Sequence, residues 1–172
     1  SSSAASDVYK RQNVIASVLA ERLRGTYKML HLPDGLSQDS LHMLMTCEPQ
    51  IKEIGDLISR TDVLLFGIGT AMRMADQRHI ADDVRKQLVD NHAVGEALGQ
   101  YCDIDGKLIY STNNIGLSLP DVAKIPNVIA VAGGQDKSSA IVGVMRACQK
   151  GILIIDEQAA EGMRQLLQIS AL

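Results

Sequence analysis

Two glycines followed by a lysine, in the run NVIAVAGGQDKSSAI, hold the most suggestive chemistry in this sequence. An apolar strand delivers the chain to Gly133 and Gly134, where no Cβ obstructs the approach of a ligand to the backbone. Lys137 and Ser138 then stand in the first turn of a helix. The free N–H groups and positive dipole end of that turn attract a phosphate, and Lys137 adds a full charge. The spacing is not G-x-x-x-x-G-K-[ST], and there is no G-x-G-x-x-G, so nucleotide-type loops are disfavoured. A tight strand-to-helix turn needs the same two glycines, so the local pattern serves either reading.

A second place is Gly67-Ile68-Gly69, with Arg73 and Arg78 downstream. A glycine-closed strand end beside arginines suits another anion, because the guanidinium fork matches phosphate oxygens. Arginines on a solvated helix face give the same pattern. Glu96 lies among small and apolar neighbours in AVGEALG. A carboxylate there either accepts hydrogen bonds from a polyhydroxyl ligand or pairs with a nearby base, since buried Glu is rare unless partnered.

Other chemistries find no footing. His31, His42, His79 and His92 share no metal-ligand spacing, so no metal site is expected. Cys47, Cys102 and Cys148 are dispersed and odd in number, which suggests reduced buried thiols rather than a disulfide frame. No nucleophile elbow or HExxH occurs, and the methionines around Met43 and Met72 read as core filler. No catalytic constellation and no cofactor are expected. The net charge of −3 lacks the basic footprint of a nucleic-acid reader.

These residues need elements to position them. Hydrophobic residues make up 46% of the 172, but aromatics only 3%, so the core is built from Leu, Ile, Val, Ala and Met. That suits a parallel sheet covered by helices. Residues 1–12, SSSAASDVYKRQ, carry no core periodicity and read as a non-native or disordered leader, outside a single domain over 13–172. Asn13 to Gly25 reads as a helix with Val14, Ile15, Val18, Leu19 and Leu23 on one face. Thr26 to Leu32 suggests a short strand closed by Pro33-Asp34-Gly35. Helices follow from Ser37 to Cys47 and from Pro49, the latter with Ile51, Ile54, Leu57 and Ile58 inward. DVLLFGIG (62–69), NVIAVA (127–132) and GILII (151–155) read as strands buried on both faces. Helices are expected near 81–91, 137–148 and 157–168, and a hairpin turning at Asp105-Gly106. The fold class is therefore α/β, an open, mostly parallel sheet with helices on both faces, whose strand ends collect ligand.

Three segments together, DVLLFGIGTAMRMADQR, HAVGEALGQYCDIDGKLI and IPNVIAVAGGQDKSSAIVGVMRA followed by GILIIDEQAA, resemble the effector-binding domain of SorC-family transcriptional regulators, most of all the central glycolytic genes branch. The resemblance covers nearly everything from Asn13 onward. It implies a fold similar to glucosamine-6-phosphate deaminase and ribose-5-phosphate isomerase, without their chemistry. It also implies a phosphorylated sugar such as fructose-1,6-bisphosphate as effector. On matching positions, Lys137 after Gly133-Gly134 would contact a phosphate and Glu96 would take sugar hydroxyls. Arg78 would meet the other end of the ligand, with Gly69 at the strand end; where the family often has paired arginines, one slot is Gln77.

The same resemblance implies a cytoplasmic homo-oligomer, dimeric or tetrameric, with no membrane contact. Operator DNA would be read only through a helix-turn-helix domain that these residues lack, and the first part of the sensor domain would be missing too. Gln12-Asn13 lies where a further ligand contact would fall. Two other classes compete: an enzyme of the deaminase-isomerase group and a purely structural oligomerisation domain. The first needs an acid/base set after the GIG strand end, where Gly69-Thr70-Ala71-Met72 offers no ionisable pair.

Overall fold

A computed structural model describes residues 3–29, 36–113 and 115–168, with side chains from residue 13 onward. Three parallel strands, β1 (Val63–Gly67), β6 (Asn127–Ala132) and β7 (Ile152–Ile155), form one sheet in the order β1-β6-β7. Four short strands, β2 (Gly69–Thr70), β3 (Gly95–Ala97), β4 (Gln100–Cys102) and β5 (Leu108–Ser111), form a second, antiparallel sheet in chain order. The α/β class and the parallel sheet agree with the sequence reading. The antiparallel sheet was legible only as a hairpin, whose turn is fixed by Asp103 Oδ1 accepting from the amides of Asp105 and Lys107.

Helix α6 (Ser138–Cys148) joins the two layers. It buries Ala140, Ile141, Val142 and Val144 and packs against β3 and β4 as well as the 3₁₀ helix Leu119–Lys124. Its approach to β3 is close enough that a Cβ on Gly95 would stand 2.8 Å from the Ala140 carbonyl oxygen. One core gathers Phe66, Val128, Ala130, Leu119, Ile141 and Val144 beneath the parallel sheet, with α7 (Glu157–Leu166) contributing Ala159. A smaller core of Ala71, Ala75, Leu88 and Tyr101 lies between the second sheet and helices α4 (Ala71–Gln77) and α5 (Asp82–Asp90).

The other face of the parallel sheet is left open by the described residues. Val63, Leu65, Val131, Ile152 and Ile154 point there and are 40–64% exposed. The register aligns Leu65 with Ile129 and Ile152, and Gly67 with Val131 and Ile154, so the apolar side chains form one continuous surface. Unbroken apolar strands signal two-sided burial; among the described residues only one side receives it.

Helix α1 spans Ser3–Arg22, so backbone helix begins ten residues before Asn13. Its stripe of Val14, Ile15, Val18, Leu19 and Leu23 is exposed. Helix α2 (Gln38–Cys47) starts as expected at Ser37, whose side chain accepts from the Ser40 amide, and α3 (Pro49–Ser59) opens on its proline. In α3, Ile51, Ile54 and Ile58 are half-buried while Leu57 is exposed. Residues 26–29 form no strand; the rest of that expected strand and the Pro33-Asp34-Gly35 turn lie outside the described residues. Among the described residues no helix is long and apolar enough to cross a membrane.

Candidate functional site

The expected site residues gather where the two sheets meet. Strand β1 ends at Gly67, and the chain crosses at Ile68 into β2. The Ile68 amide donates to the Val131 carbonyl at 3.2 Å, which extends the parallel ladder by one bond. The Ile68 carbonyl accepts from Lys137 Nζ at 3.0 Å. The lysine side chain therefore reaches across to the end of β1. One residue further, Gly69 pairs with Glu96 across β2 and β3.

Lys137 reaches that position through the turn after β6. Gly134 has φ of 95°, a left-handed conformation that a side chain would strain. Residues Gln135–Lys137 form one 3₁₀ turn, and Lys137 then caps α6. The Gly134 amide donates to Asp156 Oδ2 at 2.9 Å, and a Cβ on Gly133 would meet the same oxygen at 2.7 Å. Asp156 also caps α7, accepting from Ala159 N at 2.8 Å. The glycine pair thus makes a tight turn whose amide a carboxylate already occupies. An anion at that amide has to displace Asp156. At Gly69 the space left by the missing Cβ is filled by the Met74 side chain.

Glu96 is 3% exposed and stands on β3, closed to β4 by a two-residue turn in which Leu98 and Gly99 both have positive φ. Its Oε1 accepts from Gly99 N at 2.7 Å and from Arg78 Nη2 at 3.1 Å. Both alternatives raised for this residue bear on it: it has a base as partner, and its Oε2 faces Gly69 at the strand ends. Burial pushes the Glu96 carboxyl above its ordinary value, while the Arg78 charge and the Gly99 amide pull the other way. Arg78 sits at the end of α4 with its side chain 17% exposed, whereas Arg73 lies on the exposed face of that helix.

The strand ends thus bring Lys137, Gly69, Glu96 and Arg78 into one chain of contacts, with Gly133 and Gly134 before Lys137 at the end of β6. Sequence reasoning missed two participants, the Ile68 carbonyl and Tyr101, and reached a third, Asp156, only as part of a strand end. The Ile68 carbonyl is backbone and leaves no side-chain signal. Asp156, with Glu157, stands out in the sequence as a third strand end where ligand could collect, but without its bond to the Gly134 amide. Tyr101 is the cross-strand partner of Glu96, a pairing that follows once Leu98-Gly99 is read as a two-residue turn. No group of three or more His, Cys, Asp or Glu side chains placed to hold a metal occurs among the described residues.

Comparison with known proteins gives the family. The family model described as a sugar-binding domain matches residues 2–165. The central glycolytic genes regulator of Bacillus subtilis is 37% identical over 155 residues, which cover 90% of this chain and 45% of that protein. The deoxyribonucleoside regulator of the same species is 26% identical, covering 85% and 48%. The chain spans about half the length of these curated relatives. Among solved structures, a SorC family transcriptional regulator from Enterococcus faecalis is 37% identical with a TM-score of 0.79, over 87% of this chain and 60% of that one. The full-length sorbitol operon regulator SorC from Klebsiella pneumoniae, 22% identical, shares the fold with a TM-score of 0.70 over 84% and 47%. On the family match, which takes in almost the whole chain, this polypeptide belongs to the sugar-binding domain family of SorC and DeoR transcriptional regulators.

Proposed function

We propose that this domain senses a phosphorylated sugar and leaves it chemically unchanged. Its occupancy alters how an oligomeric cytoplasmic repressor of carbohydrate or glycolytic genes, dimeric or tetrameric, holds operator DNA. Fructose-1,6-bisphosphate is the first ligand to test. DNA contact falls to a separate helix-turn-helix domain. Lys137 takes a phosphate, Glu96 takes hydroxyls and Arg78 meets the far end of the ligand. Gly69, Gly133 and Gly134 shape the strand ends around them.

The observation that carries this reading is the ammonium of Lys137, held 3.0 Å from the Ile68 carbonyl at the end of β1, beside the Gly69–Glu96 pair. Among the described residues its ammonium donates only to a neutral carbonyl, so its charge stays available to an anion. A carboxylate with a guanidinium on one flank offers complementary contacts to a polyol. The relatives that carry names are regulators, and the 69–72 segment supplies no proton-shuttling pair, both of which support a binding role over turnover.

Thermal-shift and calorimetric titration with fructose-1,6-bisphosphate test the proposal. Saturation at 100 times the dissociation constant adds about 2.7 kcal/mol to stability. Lys137→Ala is expected to weaken binding by roughly 10- to 100-fold, the range for a hydrogen bond to a charged group. The unliganded fold should lose about 1–3 kcal/mol, because the variant also leaves the buried Ile68 carbonyl without its donor. Unchanged affinity in the variant rejects the lysine's role. Turnover of glucosamine-6-phosphate or ribose-5-phosphate rejects the sensor reading in favour of an enzyme.

A further inference from the structure

Among the described residues, two interior polar groups have no partner: the phenolic oxygen of Tyr101 and Nε of Arg78. Tyr101 is fully buried, and it pairs across the β3–β4 ladder with Glu96, the residue that holds Arg78. Directly paired residues in an antiparallel ladder project from the same face, so the phenol stands on the Glu96 side of the sheet. The charges of both Glu96 and Arg78 act on that phenol, which burial pushes further from ionising. Both recorded donors to Glu96 converge on Oε1, while Oε2 faces Gly69. A buried donor left without a partner is costly, and native structures tolerate few. Here two border one carboxylate. Arg78, 17% exposed, is the boundary between this interior and solvent.

We propose that Tyr101 is a specificity-determining residue of the site. In the bound state one hydroxyl of a polyol accepts from both Arg78 Nε and the Tyr101 O–H, with Glu96 beside it. This rests on the sugar-phosphate reading and divides the ligand between two subsites. Lys137 takes the anion. The Glu96–Arg78–Tyr101 corner takes a neutral hydroxyl. The recognised class is therefore a phosphate ester with a free hydroxyl on its carbon chain, in preference to a bare phosphate.

Tyr101→Phe removes only the phenolic oxygen and keeps the ring in its core. Wild type and variant are titrated with fructose-1,6-bisphosphate, fructose-6-phosphate and inorganic phosphate, and their melting temperatures are compared without ligand. The expected result is a roughly tenfold weaker affinity for the sugar phosphates, the cost of one hydrogen bond made to a buried group. Affinity for inorganic phosphate stays unchanged, and the melting temperature of the free protein stays equal or rises because an unpaired group is gone. Three outcomes overturn the proposal alone: unchanged sugar-phosphate affinity, an equal loss for inorganic phosphate, or a lower melting temperature with affinity intact, which reveals a trapped water. A wild-type protein that binds none of the sugar phosphates overturns the sensor reading together with this one.

Discussion

Glu96 carries conflicting demands. It is nearly dry, yet it holds an arginine and closes a turn, and burial wins over both attractions in setting its proton affinity. Its folded carboxyl therefore keeps a proton to higher pH than the same group in the unfolded chain. Where the folded state binds more protons, stability falls as pH rises. The contribution of Glu96 is thus greatest below the ordinary carboxylate value of 4.5 and is lost as pH climbs through the raised folded value. Glu96→Gln keeps an acceptor for Gly99 and cannot titrate. Urea unfolding of both proteins between pH 4 and 7 should show the wild type losing stability relative to the variant as pH rises. A difference independent of pH rejects this account. At this scale Lys137, Glu96 and Arg78 were legible because charged residues among glycines and apolar neighbours stand out. Tyr101 was not: a lone aromatic in QYC looks like core until its partner is known. The cysteines were half legible. Cys102 and Cys148 are buried, with burial pushing their thiols up to about 12 and about 11, but Cys47 is exposed.

Among the elements, the ends of strands and the starts of helices do most of the positioning. Asp156 ties the end of β7 to the turn after β6, since one carboxylate oxygen takes the Gly134 amide and the other takes Ala159 in the first turn of α7. Replacing it with alanine removes a helix cap, at a cost of about 1 kcal/mol, and frees the Gly134 amide. Asp156→Ala is expected to lower stability by that amount in denaturant melts while strengthening phosphate-ester binding, because a negative charge leaves the neighbourhood of the anion. Weaker binding in this variant indicates that the tie, and not the charge, governs the turn. Strands 127–132 and 151–155 and the helices after them were readable from unbroken apolar runs followed by polar first turns. The short strands β2 and β3 were not, because three residues or fewer carry no periodicity.

At the scale of the whole molecule, the described residues cover one face of the parallel sheet and leave the other bare. The bare face joins Leu65, Val131 and Ile154, residues a composition-based reading places inside. Such a continuous apolar surface binds hydrophobic dyes and promotes association. Paired substitution Leu65→Lys and Ile154→Lys should lower dye fluorescence and concentration-dependent association measured by sedimentation. Each change should alter folding stability by no more than about 0.5–1 kcal/mol, as expected for half-exposed positions. Dye binding that ignores both changes places the sticky surface elsewhere, with the exposed stripe of α1 next in line. The crossing at Ile68 has a reach of its own. That single residue, 3% exposed, has its amide bonded into one sheet and its carbonyl tethered by the ammonium of Lys137, just before the chain enters the other sheet. An anion drawing the lysine away strips a dry carbonyl of its donor, so filling the site and reshaping the joint between the two layers become one energetic event.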